Sequence, residues 1–467
     1  MLAVGINHNT PKATPLPPKG YPIIGLLPQM SKAPLEFFEA ASRKYGDIIP
    51  LKLGWETVYL INHPEHFKHI YQDNRDNYVR SKYYGQLSPI IGDGLFTLEG
   101  KAWRRQRKTA QPAFSGLNLQ SMTNVMVSES SKFVERLRRY EAKDQCFDII
   151  KEAFNLKLQI VMGALFSEHL ADDDFNRVLG SITVILKEIE TRIWEIVPAP
   201  HWLPTRRNKC LKHAIRELRN IIEKIVIRRL KKTERKDDLL DLFIDAERHY
   251  GWDSSSLKSL IDQIISVAIA GHETGAISLC WLVYELSNRP KIRDRIRDEA
   301  NMVFAGGTPD FKDFQALEYT QRVFKEILRL YPPLWTVSRQ AVKEDKLGNF
   351  LLPKGAIVML SPYIIQRNPR FWEKPAEFDP NRFLPGEEEK RHKFSYLPFG
   401  AGPHLCLGNR FGMLEGVISL ALICQGVEFK LVSGQAVKPH PMTTLRPAEE
   451  MFVGVKSCQQ PIQKVAA

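Results

Sequence analysis

The stretch from Ser254 to Asn288 constrains this chain most. Ser254 to Ser256 offer an N-cap, no proline interrupts the residues after them, and Pro290 ends the run. The pattern predicts a single helix from Leu257 to about Asn288, far longer than most globular helices. Its centre, Ile264 to Trp281, is apolar on nearly all sides, so it must run through a core rather than along a surface. A fold built around such a rod needs other helices packed on every side of it. Hydrophobic residues make up 43% of the chain and charged residues 25%, enough to bury a large core and still face water. The apolar stretch carries His272 and Glu273, and no run of about twenty apolar residues is free of charge, so no membrane span is expected.

The remaining punctuation predicts a mainly α fold with a minor β component near both ends. Residues 1–20 read as an extended, Pro-rich N-terminal arm and residues 21–467 as one domain. Leu35 to Tyr45 reads as a helix, and Ile48 to Asn62 as a hairpin turning at Gly54. From Trp103 to about Leu286 the pattern is helical, broken at Pro198 to Pro204. A helix from about Thr320 to Leu330 ends at Pro332–Pro333, because the residue before proline avoids the α region. Short β runs follow from Trp335 to Pro362, then a loop rich in proline and aromatics from Gln366 to Pro385. A last helix runs from Cys406 to about Cys424. No internal repeat is visible.

The net charge of +13 admits an acidic protein partner, a membrane surface, a nucleic acid or a generally basic surface. Its cations fall in clusters, Lys101 to Lys108, Arg206 to Lys212 and Arg228 to Lys236, without an Arg/Gly-rich tail or zinc-finger spacing, so nucleic acid is not expected. Six scattered cysteines, none in a CxxC pair, argue against a disulfide framework or a structural zinc site. The N-terminus has neither a basic start nor a sustained apolar run, so a secretory signal is not expected and a cytoplasmic protein is.

The chemistry concentrates in Phe399–Gly400–Ala401–Gly402–Pro403–His404–Leu405–Cys406–Leu407–Gly408. A buried thiolate needs its charge compensated, and backbone N–H groups and the start of the following helix can do this. Gly400, Gly402 and Gly408 allow tight turns and close approach to a flat ligand. The segment resembles the cysteine-ligand loop of the cytochrome P450 family, matching its Phe, its glycines, its Arg/His position and its Cys. The resemblance implies the cytochrome P450 fold, with haem b lying between the long central helix and this loop, and Cys406 as the axial thiolate. Such a ligand favours O–O cleavage.

The resemblance extends along nearly the whole chain. Ala270–Gly271–His272–Glu273–Thr274 matches the family's central-helix motif, which implies that Ala270 and Gly271 border the cofactor. A mid-helix Thr274 can bond back to the carbonyl of Ala270, and Glu273 can relay protons. Glu326 and Arg329, three apart on one helix face, resemble the family's structural pair, completed by Arg382 in Asp379–Pro380–Asn381–Arg382–Phe383. Asn381 stands where the family often has Glu. Trp103, Arg107, Arg339 and His404 match positions that contact the haem propionates, which need cations or donors when buried.

Together these motifs imply a monooxygenase that takes up dioxygen and hydroxylates a hydrophobic small molecule such as a fatty acid, a terpenoid or a secondary-metabolite intermediate. Oxidative cyclisation, coupling, desaturation and peroxide-driven chemistry are the alternatives; enzymes of the last kind commonly lack the acid–threonine pair present here. Leu334, Trp335, Val337, Thr443 and Thr444 fall on pocket positions, and Trp335 is expected to narrow the pocket. With no flavin or iron–sulfur module in the sequence, electrons are expected from a separate ferredoxin or flavodoxin. Arg104, Arg105, Lys108 and Arg410 would steer it electrostatically.

Overall fold

The computed structural model describes residues 18–194, 200 and 202–458. All but the last three residues of the expected arm, and residues 198, 199 and 201 of the Pro198–Pro204 break, lie outside the described residues. The central helix runs Ser256–Ser287, as its apolar centre and its lack of proline require. Its start differs from the expected serine cap. Ser255 makes no capping hydrogen bond, and the turn closes on itself instead: Ser256 Oγ accepts Asp253 N at 3.0 Å, and Asp253 Oδ1 accepts Ser255 N at 2.7 Å. Pro290 does more than stop this helix. It opens another, Pro290–Phe304, since a proline at the first helical position lacks only an N–H that would be unpaired anyway.

Ile149–Phe166, Arg206–Lys231, Leu239–Tyr250, Glu318–Leu330 and Asn409–Gly426 are among the helices that pack against the central one. Burying each of its large apolar side chains contributes about 1.5–3 kcal/mol, which makes this the organising contact of the fold. Trp281, fully buried, stacks on Tyr331 with ring centroids 4.1 Å apart and donates Nε1 to Leu445 O at 2.7 Å. Asn409–Gly426 rides close on Glu318–Leu330 because Gly416 has no side chain: a Cβ there would stand 2.1 Å from Phe324 Cζ.

Five strands form the main sheet, in the order Ile48–Leu53, Glu56–Ile61, Ile357–Leu360, Val337–Ala341, Tyr78–Arg80. The first two are the expected hairpin, Ile48 opposite Ile61. Glu56–Ile61 then runs parallel to Ile357–Leu360, with Val58 paired to Ile357. Antiparallel pairing of Tyr78–Arg80 with Val337–Ala341 sets Arg80 opposite Arg339. A second sheet joins Phe452–Ser457 to Val427–Leu431 and to Phe147–Asp148, a strand inside the stretch expected to be helical. Only pairing with a strand some three hundred residues away makes those two residues extended, so no local signal announces them.

Candidate active site

The Cys406 loop is shaped by its first two glycines. Gly400 and Gly402 have φ of +71° and +67°, and a Cβ on Gly402 would lie 2.1 Å from Tyr71 O. A non-glycine residue at either position would be strained. Gly408 differs from expectation: its backbone is not left-handed, and a Cβ would only touch Phe114 at 3.6 Å. Its part is played by its N–H, which is aimed at the Cys406 sulfur. Cys406 N donates to Phe399 O at 2.9 Å, closing the loop, and the helix Asn409–Gly426 begins just beyond. Cys406 is reachable by solvent, yet enough protein crowds its thiol that burial raises its pKa; the Gly408 N–H and Arg107 pull the other way. Ligation to a metal would supply the rest, since a coordinating thiol is deprotonated outright.

Behind the loop stands the expected clamp. Glu326 and Arg329 are both fully buried, and Arg329 Nε and Nη2 donate to the two Glu326 oxygens at 2.6 and 2.7 Å. Glu326 Oε1 also accepts Asp379 N at 2.8 Å, with Arg382 Nε 3.5 Å away. Arg382 spends its other nitrogens on Glu373 O and Lys374 O. One member was missed in the sequence. The buried amide of Gln366 donates to Leu328 O and Arg329 O and accepts Leu397 N at 2.8 Å, tying the clamp helix to the chain just before Phe399. A lone Gln in a Pro-rich loop carries no signal of this.

The propionate-type residues converge. The Trp103 and His404 rings lie 4.0 Å apart, and the Arg80 and Arg107 guanidiniums stand 5.7 and 5.5 Å from the Trp103 ring. Arg339, 6% exposed, keeps one hydrogen bond to Ser338 O at 2.9 Å. Arg80 escaped the sequence reading, because only the strand register sets it opposite Arg339. Burial lowers its pKa to about 10. Two like charges opposite one another on neighbouring strands repel, so the arrangement is one that an anion would relieve. The acid among them is Glu99. Burial pushes Glu99 up, but His404 and the backbone N–H groups of Arg80 and Gly100 outweigh it and hold its pKa down at about 2. His404 Nε2 is 3.4 Å from Glu99, burial lowers its pKa, and its buried Nδ1 has no partner among the described residues.

On the central helix, Thr274 Oγ1 donates to Ala270 O at 2.8 Å, the back-bond the motif predicts, and Ala270 is exposed on the same turn. Gly271 serves packing as well: a Cβ there would meet Val161 at 3.1 Å. Glu273 is buried and held on another side of the helix. Its Oε1 accepts Thr444 Oγ1 at 2.6 Å, Arg446 Nε at 3.0 Å and Arg446 Nη2 at 2.5 Å. Thr444 is therefore corrected from pocket wall to partner of Glu273. Trp335 is corrected as well: 4% exposed, it packs on Phe38 and donates Nε1 to Met442 O at 2.8 Å, so it fills core instead of narrowing a pocket. Leu334 and Val337 stay half-buried, and Thr443 keeps a buried hydroxyl without a partner among the described residues. Arg105, exposed as expected, stacks 3.6 Å over the Tyr250 ring and stands 3.6 Å from Glu247.

A family model described as cytochrome P450 matches residues 15–455. The chain belongs to the cytochrome P450 family. It is 30% identical to cyclooctatin synthase of Streptomyces melanosporofaciens over 434 residues, 92% of each chain. It is 26% identical to pentalenene oxygenase of Streptomyces avermitilis, covering 92% of this chain and 94% of the other. Cyclooctat-9-en-7-ol 5-monooxygenase of Streptomyces melanosporofaciens is also 26% identical, over 93% of this chain and 92% of its own. A P450 is a haem enzyme that uses dioxygen and receives electrons from a redox partner. The residues present fit that cofactor. A reachable sulfur sits under an N–H donor, and Arg80, Arg107, Arg339 and the unpartnered His404 Nδ1 outnumber the single nearby acid. Among the described residues, one helix, Ser256–Ser287, is long and apolar enough to cross a membrane, and it is mostly buried in the fold.

Proposed function

We propose that this P450 hydroxylates a terpenoid intermediate. Full-length similarity to a cyclooctatin synthase, a pentalenene oxygenase and a cyclooctat-9-en-7-ol 5-monooxygenase carries the substrate class. When bound, haem b supplies the oxygen-activating iron. Cys406 would hold the iron, and Trp103, Arg107, Arg339, Arg80 and His404 would hold the propionates. Thr274 Oγ1 holds a proton on the exposed turn beside Ala270, where it would serve proton delivery for oxygen activation. Glu273 recharges that hydroxyl by exchanging its Thr444 and Arg446 partners for water, which makes proton delivery depend on how tightly Arg446 grips it. Residues 21–467 form the catalytic domain, acting in the cytoplasm with a separate ferredoxin or flavodoxin. Exposed Arg104, Lys108 and Arg410 offer that acidic donor its contact.

A panel of cyclic diterpenes and sesquiterpenes, fatty acids and aromatic intermediates, read by the ferric spin-state shift and then by product mass, tests the substrate class. A terpene that shifts the spin state and gains one oxygen is the expected result. Turnover confined to fatty acids would overturn it.

A further inference from the structure

A solvent-open cavity of about 610 Å³, with Lys212, Arg216 and Lys258 exposed on its rim, lies between one face of the helix Arg206–Lys231 and the first turns of the central helix. Its walls carry Lys212, Arg216, Arg219 and Lys258 against one acid, Glu223. Arg219 and Lys258 already donate to Asp262, whereas Lys212 and Arg216 have no carboxylate partner among the described residues. Ser254 and Leu257 also line the cavity, so the N-terminal end of a 32-residue helix, with its partial positive charge, opens into it. Leu257 and Ile261 give it an apolar floor. Cations and a helix dipole above an apolar floor suit an anionic head with an apolar segment.

Asp262 connects this cavity to the loop over the central helix. Its carboxylate is fully buried and accepts Lys258 Nζ at 2.9 Å, Arg219 Nη1, and Asp93 N at 3.1 Å. Gly92 passes so close that a Cβ would be 2.4 Å from Asp262, and Gly94 stands likewise against Ser266, whose Oγ accepts Phe96 N at 3.3 Å. The loop 92–96 is thus stitched to the central helix at Asp262 and Ser266, about 12 and about 6 Å of helical rise before Ala270. An anion that draws Arg219 and Lys258 toward itself weakens their hold on Asp262, and with it the anchor of Asp93.

We propose that this cavity is a second ligand site, for a small amphiphilic organic anion, and that loop 92–96 responds to its occupancy through Asp262. The haem-loaded protein is titrated calorimetrically with dodecyl phosphate, laurate and neutral dodecanol, alongside a ferric spin-state titration that reports the haem pocket. Either anion should bind more tightly than dodecanol, the tighter of the two naming the head group. Binding should weaken about tenfold in Lys212→Gln/Arg216→Gln, as expected for two lost charge-assisted contacts. The spin-state midpoint should be the same in both proteins. Amide exchange over residues 92–97 should quicken with the anion in the unaltered protein and not in the double variant. Dodecanol binding as tightly as the anions, or unchanged anion affinity in the double variant, overturns the site; unchanged exchange at saturation overturns the coupling.

Discussion

Arg329→Met removes the centre of the clamp behind the Cys406 loop. All five guanidinium N–H donors are placed: on both Glu326 oxygens, on Gln366 O at 3.0 Å, on Pro375 O at 2.8 Å and on Glu377 O at 3.0 Å. Methionine fills much of the volume and satisfies none of them. Stranding a buried carboxylate costs about 3–5 kcal/mol, because Glu326 keeps its desolvation and loses its main counter-charge. The buried Gln366 carbonyl also loses a charged donor, at about 1–3 kcal/mol, while the part-buried Pro375 and Glu377 carbonyls can turn to water at less cost. Arg382, 3.5 Å from Glu326, compensates little. The expected loss is therefore at least about 4 kcal/mol, a large share of the roughly 5–15 kcal/mol that holds a domain folded. Urea unfolding followed by far-UV dichroism, with Soret absorbance per mole of purified chain, measures both consequences. The variant should unfold at much lower urea and carry little haem. Unfolding within about 0.5 kcal/mol of the unaltered protein at full haem content would refute the reasoning, since surface-like substitutions have effects of that size.

Cys406→Ser should abolish the red-shifted Soret band of the ferrous–CO complex; a retained band would remove Cys406 as ligand. Thr274→Ala should keep haem but divert reducing equivalents to hydrogen peroxide, and full coupling of electrons to product would contradict the role given to Oγ1. Glu99 is held near pKa 2, below its ordinary 4.5, so its contribution to stability is present above pH 4.5 and is lost as pH falls toward 2. Unfolding free energy measured from pH 6 to 2 should fall less steeply in Glu99→Gln; parallel curves would refute this. Gly416→Ala should destabilise by about 1–3 kcal/mol in thermal unfolding, because its Cβ and the Phe324 ring compete for one space.

Features read correctly from the sequence are local or motif-borne. The length of the central helix follows from apolar residues on every face, and the Thr274 back-bond from a hydroxyl four residues after a carbonyl. Glu326 and Arg329 share a helix face at any tertiary arrangement. Trp335 and Thr444 were misplaced because a motif position fixes where a residue sits along the chain, not which way its polar atom turns. Met442 O and Glu273 claim those atoms, and both are brought in by chain more than a hundred residues away.

By itself, the sequence determined the helical rod, the glycine-turned Cys406 loop and the Glu326–Arg329 pair, since backbone preference and short-range spacing are written in consecutive residues. Only the tertiary structure decided the charges: Arg80 set against Arg339 by strand register, Arg446 closed on Glu273, and Asp262 shared between a loop and two helices. The physical reason is that a buried charge is stable only beside its partner, and that partner is chosen by packing across the whole fold rather than by any neighbour in the chain.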